Sequence, residues 1–210
     1  MKLYTFPPAP SPQRVHIFIQ EKGIEIDTEF VDMMKAEQLA AEYKAINPRA
    51  TVPALVLDDG TVIAEVVAIC RYLEVTYPDT PLLGSSAREQ ALVCEWDHRL
   101  EMECMSAIAE ALRNKGEAFK HRALPGALDL EQIPELVPRG KKRIAAFFEV
   151  LDTQLSANQY IAGDHFSFAD ITAFVAVNFS AWVKMKVPEE LVHLNRWHAE
   201  IAKRPGVAIQ

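Results

Sequence analysis

No window of this sequence approaches the roughly 20 consecutive apolar residues that a bilayer-spanning helix needs, so no membrane segment is expected. The N-terminal stretch Met1-Lys2-Leu3-Tyr4-Thr5-Phe6-Pro7-Pro8 lacks the apolar run of a secretory leader. Positive charge is in deficit: 22 Lys and Arg stand against 29 Asp and Glu, for a net charge of -7. A nucleic-acid binder wants a basic face, and this balance argues against that class. Cysteine is scarce, with only Cys70, Cys94 and Cys104. No two of them form a Cys-x-x-Cys pair and no His/Cys cluster has zinc spacing, so no metal is expected. All three lie in helical patterns, where cysteine usually acts as a small buried apolar residue. Their odd number fits a reducing compartment, which reads as cytoplasmic.

Half of the residues are apolar and 24% are charged, the balance of an ordinary globular protein with a sizeable core. Residues 2–6 read as a short strand, followed by a proline-rich loop. Ser11 is a good N-cap for the next helix, Pro12 suits its first position, and Gly23 sits where it ends. Residues 28–32 read as a second strand and 37–45 as a short helix ending before Asn47-Pro48. Residues 54–58 and 61–64 are two strands joined by Asp59-Gly60, a strong hairpin signal. A helix runs from about Glu65 to Thr76. The order strand, helix, strand, helix, hairpin, helix describes a thioredoxin-like domain with a mixed four-stranded sheet over residues 1–76.

Residues 77–87 are rich in helix and strand breakers and read as a linker. Beyond them the strand signal vanishes, so residues 88–210 are expected to be all-helical. One long helix is predicted over 88–113, a largely irregular stretch over 114–140, and an amphipathic helix over 141–155. Residues 168–184 are almost wholly apolar, which implies a helix buried on all sides. A last helix is predicted over 189–203.

Four segments carry a family resemblance. Asn47-Pro48-Arg49-Ala50-Thr51-Val52-Pro53-Ala54-Leu55 resembles the glutathione transferase pattern Asn-Pro-x-x-x-Val-Pro-x-Leu. Asp59-Gly60-Thr61-Val62-Ile63-Ala64-Glu65-Val66 resembles that family's Asp-Gly segment ending in Glu-Ser, with Val66 in place of the Ser. Met34-Lys35-Ala36-Glu37-Gln38 lies where the family often has a cation. Ser167-Phe168-Ala169-Asp170-Ile171 resembles its Ser/Thr-x-x-Asp box, a structural helix cap in which Asp170 reaches back to Ser167 and Phe166 can staple against Ile171. The resemblance spans both halves of the chain in order. It implies glutathione as co-substrate, no metal, a hydrophobic second substrate, a role in detoxification and a homodimer. Val52 would pair with the extended peptide through a cis Val52–Pro53 bond. Glu65 would meet the γ-glutamyl ammonium, and the N–H groups from Val66 onward its carboxylate. Lys35, Gln38 and Arg49 are candidates for the glycyl carboxylate, and Thr51 and Pro53 complete the peptide-binding segment.

Such an enzyme must lower the pKa of the glutathione thiol, and the family usually supplies a Tyr, Ser or Cys donor before the first helix. Here that position is Ala9, and Ser11 lies two residues on. The sequence is thus most similar to an atypical microbial group without the usual donor. Some members of that group hold a water with a Ser and a His, positions that read here as Ala109 and Arg113. The catalytic candidates are therefore Ser11, as thiol donor or as helix cap, and Arg113, as thiolate partner or as a solvated side chain. The co-substrate would lie near Met102, Met105, Ala109, Arg113, Phe119 and Trp182. Two alternatives stay open: a non-catalytic glutathione-binding or regulatory protein, and a glutathione-dependent isomerase or peroxidase.

Overall fold

The computed structural model describes residues 1–208 of the chain, which form two compact units. The first comprises Met1–Pro81, Pro125–Ala127 and the residues from Pro205; the second comprises Leu82–Leu124 and Leu128–Arg204. Residues 209 and 210, the end of the expected helical domain, lie outside the described residues.

The first unit begins with β1 (Lys2–Thr5), α1 (Pro10–Lys22), β2 (Asp27–Phe30) and α2 (Ala41–Ile46), then β3 (Ala54–Val56), β4 (Val62–Ala64) and α3 (Val66–Thr76). The strand order is β2-β1-β3-β4, with β1 parallel to β2 and the other two pairings antiparallel. This is the mixed thioredoxin-like sheet read from the sequence. Leu3 and Leu55 face each other across its centre, both fully buried. The edge strand β2 is exposed, and its Asp27 and Glu29 engage Lys2 at 3.8 and 3.0 Å. Charges on an edge discourage pairing with another chain. In the β3–β4 turn, Gly60 takes φ 84°, a left-handed conformation that Asp-Gly turns are selected for.

Two local expectations need correction here. Ser11 is not the N-cap of α1: Ala9 is, with Pro10 at the first helical position, because the helix starts one proline earlier than read. The helix expected over 37–45 is a 3₁₀ turn, Glu37–Leu39, followed by α2, and a further 3₁₀ turn, Met33–Lys35, precedes it. Asp32 starts the first turn, accepting the N–H groups of Met34 and Lys35.

The second unit opens with α4 (Ala87–Arg99), a π-helical segment (Leu100–Met105) and α5 (Ser106–Arg113), which together occupy the long helix predicted over 88–113. A π segment shifts carbonyls out of the regular ladder. Here the Met102 carbonyl accepts the Ser106 hydroxyl and the Arg143 guanidinium. Arg143 and Arg139 also bind Glu110, at 3.0 and 2.6 Å. The hydrogen bond from Arg139 is the main reason the Glu110 carboxyl lies below its ordinary value of 4.5. A carboxyl depressed by folding contributes stability above the unfolded value and loses it as pH falls through the folded one. Urea unfolding should therefore show a Glu110→Gln penalty, of the order of 1 kcal/mol, that is full above pH 4.5 and fades below it.

Helix α6 (Leu136–Ala157) starts five residues earlier than the predicted helix at 141 and so shortens the irregular stretch. Pro138 falls in its first turn, where a missing N–H has no intrahelical acceptor to lose. Gly140 allows α6 to approach α5: a Cβ there would sit 2.5 Å from the Ala107 carbonyl oxygen. Helix α7 (Phe168–Ser180) is buried at twelve of its thirteen positions, in keeping with its largely apolar sequence. Helix α8 (Val192–Ile201) is capped by Asp152 on α6, which accepts the N–H groups of His193 and Leu194 at 2.8 Å. A last short helix, α9 (Pro205–Ala208), belongs to the first unit and packs on α1.

At the start of α7, Asp170 is 0% exposed and accepts four donors. These are the N–H groups of Ile161 and Ser167, the Ser167 hydroxyl and the Trp197 indole. Burial pushes its carboxyl up to about 6 against the pull of these donors. The neighbouring Phe166 packs edge-on against Tyr160 and lies 3.7 Å beneath the Arg204 guanidinium.

Candidate functional site

One apolar cluster in the first unit brings together the start of α1 and the Val52 segment. Phe6, Val31, Tyr43 and Val52 form it, and Tyr4, Ala9, Met33 and Ile46 pack against it. The residue that caps α1, Ala9, and the peptide-binding candidate Val52 thus share one cluster. The Val52–Pro53 peptide bond is cis. The preceding Thr51 carbonyl is clamped by two donors, the Tyr43 hydroxyl at 2.6 Å and the Asn47 side-chain amide at 2.8 Å. Burial pushes the Tyr43 phenol up to about 12, so it remains a hydrogen-bond donor at neutral pH. Val52 itself precedes β3 and stands outside the ladder.

In the second unit, α4 carries a capping box of Ser86 and Glu89, α7 uses Ser167 and Asp170, and α8 uses Asp152. Among the described residues, α1, α2 and α3 of the first unit have no side-chain cap, and neither has α6 of the second. An uncapped N-terminus presents N–H groups and the positive end of the helix dipole, an arrangement suited to an anion. At α1 the supply is narrow. Pro10 and Pro12 have no N–H, and Gln13 donates to the Ala9 carbonyl at 3.0 Å, so Ser11 provides the N–H of the first turn that has no main-chain acceptor among the described residues. Its hydroxyl sits on the same residue. Nearby, His16 shares a 2.8 Å hydrogen bond with the buried Thr5, and burial lowers its pKa.

At α3 the cap residue is Glu65, held at φ 78° and ψ 131°. A non-glycine side chain in this backbone region is strained, and such residues cluster at functional sites. Its carboxylate is 58% exposed and pairs with Arg49 at 3.0 Å, whose side chain is 68% exposed. The Val66 side chain is buried, so α3 offers main-chain N–H groups rather than a hydroxyl.

Lys35 is exposed and paired with Asp32 at 3.2 Å. Gln38 differs: it is 5% exposed, and its Oε1 has no hydrogen-bond partner among the described residues. A buried amide oxygen without a partner is an open acceptor, and the Nε2 of the same amide is the group able to donate to a carboxylate. Arg113, in the second unit, donates to the carbonyls of Arg122 and Leu124, both at 2.8 Å, and lies 4.9 Å over the Phe119 ring. Burial brings its guanidinium down to about 10, which still leaves it a cation at neutral pH. Of the residues expected near the co-substrate, Met102 and Trp182 are exposed and Met105 is buried.

The cysteines are not all alike. Cys70 and Cys104 are buried, and burial pushes the Cys104 thiol up to about 12. Cys94 is exposed on α4, against the expectation of burial, because it falls on the solvent face of that helix. Among the described residues no group of three or more His, Cys, Asp or Glu is placed to hold a metal ion, and no helix is long and apolar enough to cross a membrane. Tyr43 is the site residue that sequence reasoning missed. It looked like one aromatic of a short helix, and only its hydroxyl's position against Thr51 reveals its role.

Comparison with known proteins agrees in both units. The family model described as glutathione S-transferase, N-terminal domain, matches residues 9–76, and that described as glutathione S-transferase, C-terminal domain, matches residues 96–205. Glutathione S-transferase 2 of Saccharomyces cerevisiae is 34% identical over 99% of this chain and 88% of its own. The crystal structure of Gtt2 from Saccharomyces cerevisiae superposes with a TM-score of 0.91 at 31% identity, covering 100% of this chain and 99% of that one. A glutathione S-transferase domain-containing protein of Marinobacter aquaeolei VT8 gives a TM-score of 0.90 at 34% identity, covering 99% and 100%. The chain therefore belongs to the glutathione S-transferase family and is a transferase-like enzyme.

Proposed function

We propose that this enzyme binds glutathione in its first unit and transfers the thiolate to a hydrophobic electrophile. The observation that carries the reading is that α1 and α3, whose N-termini have no side-chain cap, lie on the unit that also holds the Val52 segment and Glu65. Glutathione has anionic groups for both. Its thiolate faces the Ser11 N–H and hydroxyl, and its γ-glutamyl carboxylate faces the first N–H groups of α3. Val52 pairs with the extended peptide, Gln38 donates through Nε2 to the glycyl carboxylate, and Glu65 meets the ammonium. Tyr43 and Asn47 hold the Thr51 carbonyl so that Val52 is presented at a fixed angle. Arg113 serves as a brace of the 122–124 loop, given its two carbonyl partners. A homodimer is part of the proposal, supported by the exposed valines Val62, Val67 and Val75 on β4 and α3.

The side chains of Ala9 and Val66 favour a second reading, a binding protein that has lost the chemistry. Titration with glutathione, followed by ultraviolet thiolate absorbance across pH, separates the two. The enzyme reading expects the bound thiol to titrate about 2 units below its free value of roughly 8.5, a stabilisation of about 2.7 kcal/mol. Binding with an unshifted thiol establishes the second reading, and no binding overturns both.

A further inference from the structure

The thiol end of the site is the head of α1 and the peptide end is Val52, and β1 finishes between the two. Extending the β1–β3 register one step past Tyr4 and Ala54 puts Thr5 opposite Pro53, and a second step puts Phe6 opposite Val52. Side chains alternate along a strand, so these two neighbours face opposite ways. Phe6 joins the Val52 cluster, whereas Thr5 is 3% exposed and its Oγ1 shares a 2.8 Å hydrogen bond with Nε2 of His16 on α1. The strand end thus touches both halves of the site through adjacent residues. We propose that His16 is a positioning residue: its hydrogen bond to Thr5 fixes where the head of α1 stands relative to the Val52 segment, and so brings the glutathione thiolate to the Ser11 donors.

Apolar packing does not do this by itself. Val15, Ile17 and Phe18 are fully buried and hold α1 in the core. Such burial is non-directional, so it keeps a helix from separating but sets its axial position weakly. A hydrogen bond weakens steeply with distance and angle, and therefore resists sliding. The near end of α1 has such a tie in the Ala9 N–H, which donates to the Phe6 carbonyl at 2.9 Å. His16 adds another about two turns further along. Two ties along one helix fix its tilt as well as its position. Burial lowers the His16 pKa from its ordinary 6.5, so at neutral pH the ring is neutral and acts by placement rather than by charge. The inference rests on the glutathione reading and adds to it the link between the thiol end and the peptide end.

Ultraviolet thiolate titration of the glutathione complexes tests it with four variants. His16→Leu and Thr5→Val each remove one end of the hydrogen bond, the second with no change of side-chain shape, whereas His16→Gln and Thr5→Ser keep a partner for it. In both removing variants the bound thiol should titrate about 1 unit higher, a roughly tenfold loss of thiolate below the pKa. The double variant should shift it no further than either single one, because the two changes remove the same bond. Calorimetric binding of S-methylglutathione, which has no ionisable thiol, should stay within about threefold throughout. His16→Gln and Thr5→Ser should keep the wild-type thiol pKa. A thiol pKa unchanged in both removing variants overturns the inference. So does loss of S-methylglutathione binding in step with the shift, which would make the bond a general prop of the fold. If the wild-type complex shows an unshifted thiol, or glutathione does not bind, the transferase reading itself has failed and takes this inference with it.

Discussion

Replacing Ser11 with proline is expected to lower kcat/KM by about 10²-fold, whereas Ser11→Ala should lower it by about tenfold or less. The difference follows from counting donors. Pro10 and Pro12 already remove two N–H groups from the first turn of α1, so Ser11 supplies the remaining one together with its hydroxyl. A hydrogen bond to a charged group contributes about 1.5–3 kcal/mol, which is roughly 10- to 150-fold in rate. The helix dipole adds typically about 0.3–1 kcal/mol and survives both substitutions. Alanine removes the hydroxyl alone, whereas proline removes both donors and keeps a helical φ. Thiol titration of the glutathione complexes should rank in the same order, with the bound thiol pKa highest in Ser11→Pro. If Ser11→Pro retains wild-type kcat/KM, the N-terminus of α1 is not the activator.

The largest stability effect should come from Asp170→Ala, with a loss of roughly 4 kcal/mol in urea unfolding. Four donors converge on this fully buried carboxylate from the 161 turn, the start of α7 and Trp197 of α8. Removing the acceptor leaves all four buried without partners, and each orphaned group costs about 1–3 kcal/mol before local rearrangement recovers part of it. Ser86→Ala in the solvent-exposed capping box of α4 is the useful comparison. The same kind of motif there should lose only about 1 kcal/mol, because water replaces the missing partner. Equal penalties at the two sites would show that burial does not set the strength of the Asp170 network.

These expectations differ in how far the sequence alone supports them. The Ser167/Asp170 box was legible from local spacing, because a capping box is a short-range device with a fixed offset. The same spacing does not announce the Ile161 and Trp197 donors, which arrive from other turns and helices. The hairpin at Asp59-Gly60 and the buried α7 were legible for the same local reason: turn chemistry and a high density of apolar residues act on neighbouring residues. The start of α1 was misplaced by one proline because Pro10 and Pro12 are both good first-turn residues, and only the Ala9 carbonyl accepting Gln13 decides between them. Helix α6 begins before residue 141 because Pro138 lies in its first turn, where a proline forfeits no intrahelical hydrogen bond.

By itself the sequence determined the order of elements, the mixed sheet, the split into an α/β part and a helical part, and the segments around Val52 and Glu65. Those features depend on periodicity, turn residues and short motifs. Tertiary structure decided which polar groups were already engaged: Thr51 by Tyr43 and Asn47, Glu65 by Arg49, Arg113 by its own loop, and Ser11 left open at the head of α1. Hydrogen bonds and ion pairs between residues distant in sequence are set by where the fold places them. A residue's type shows what it can bond to, and only the folded chain shows whether a partner has already claimed it.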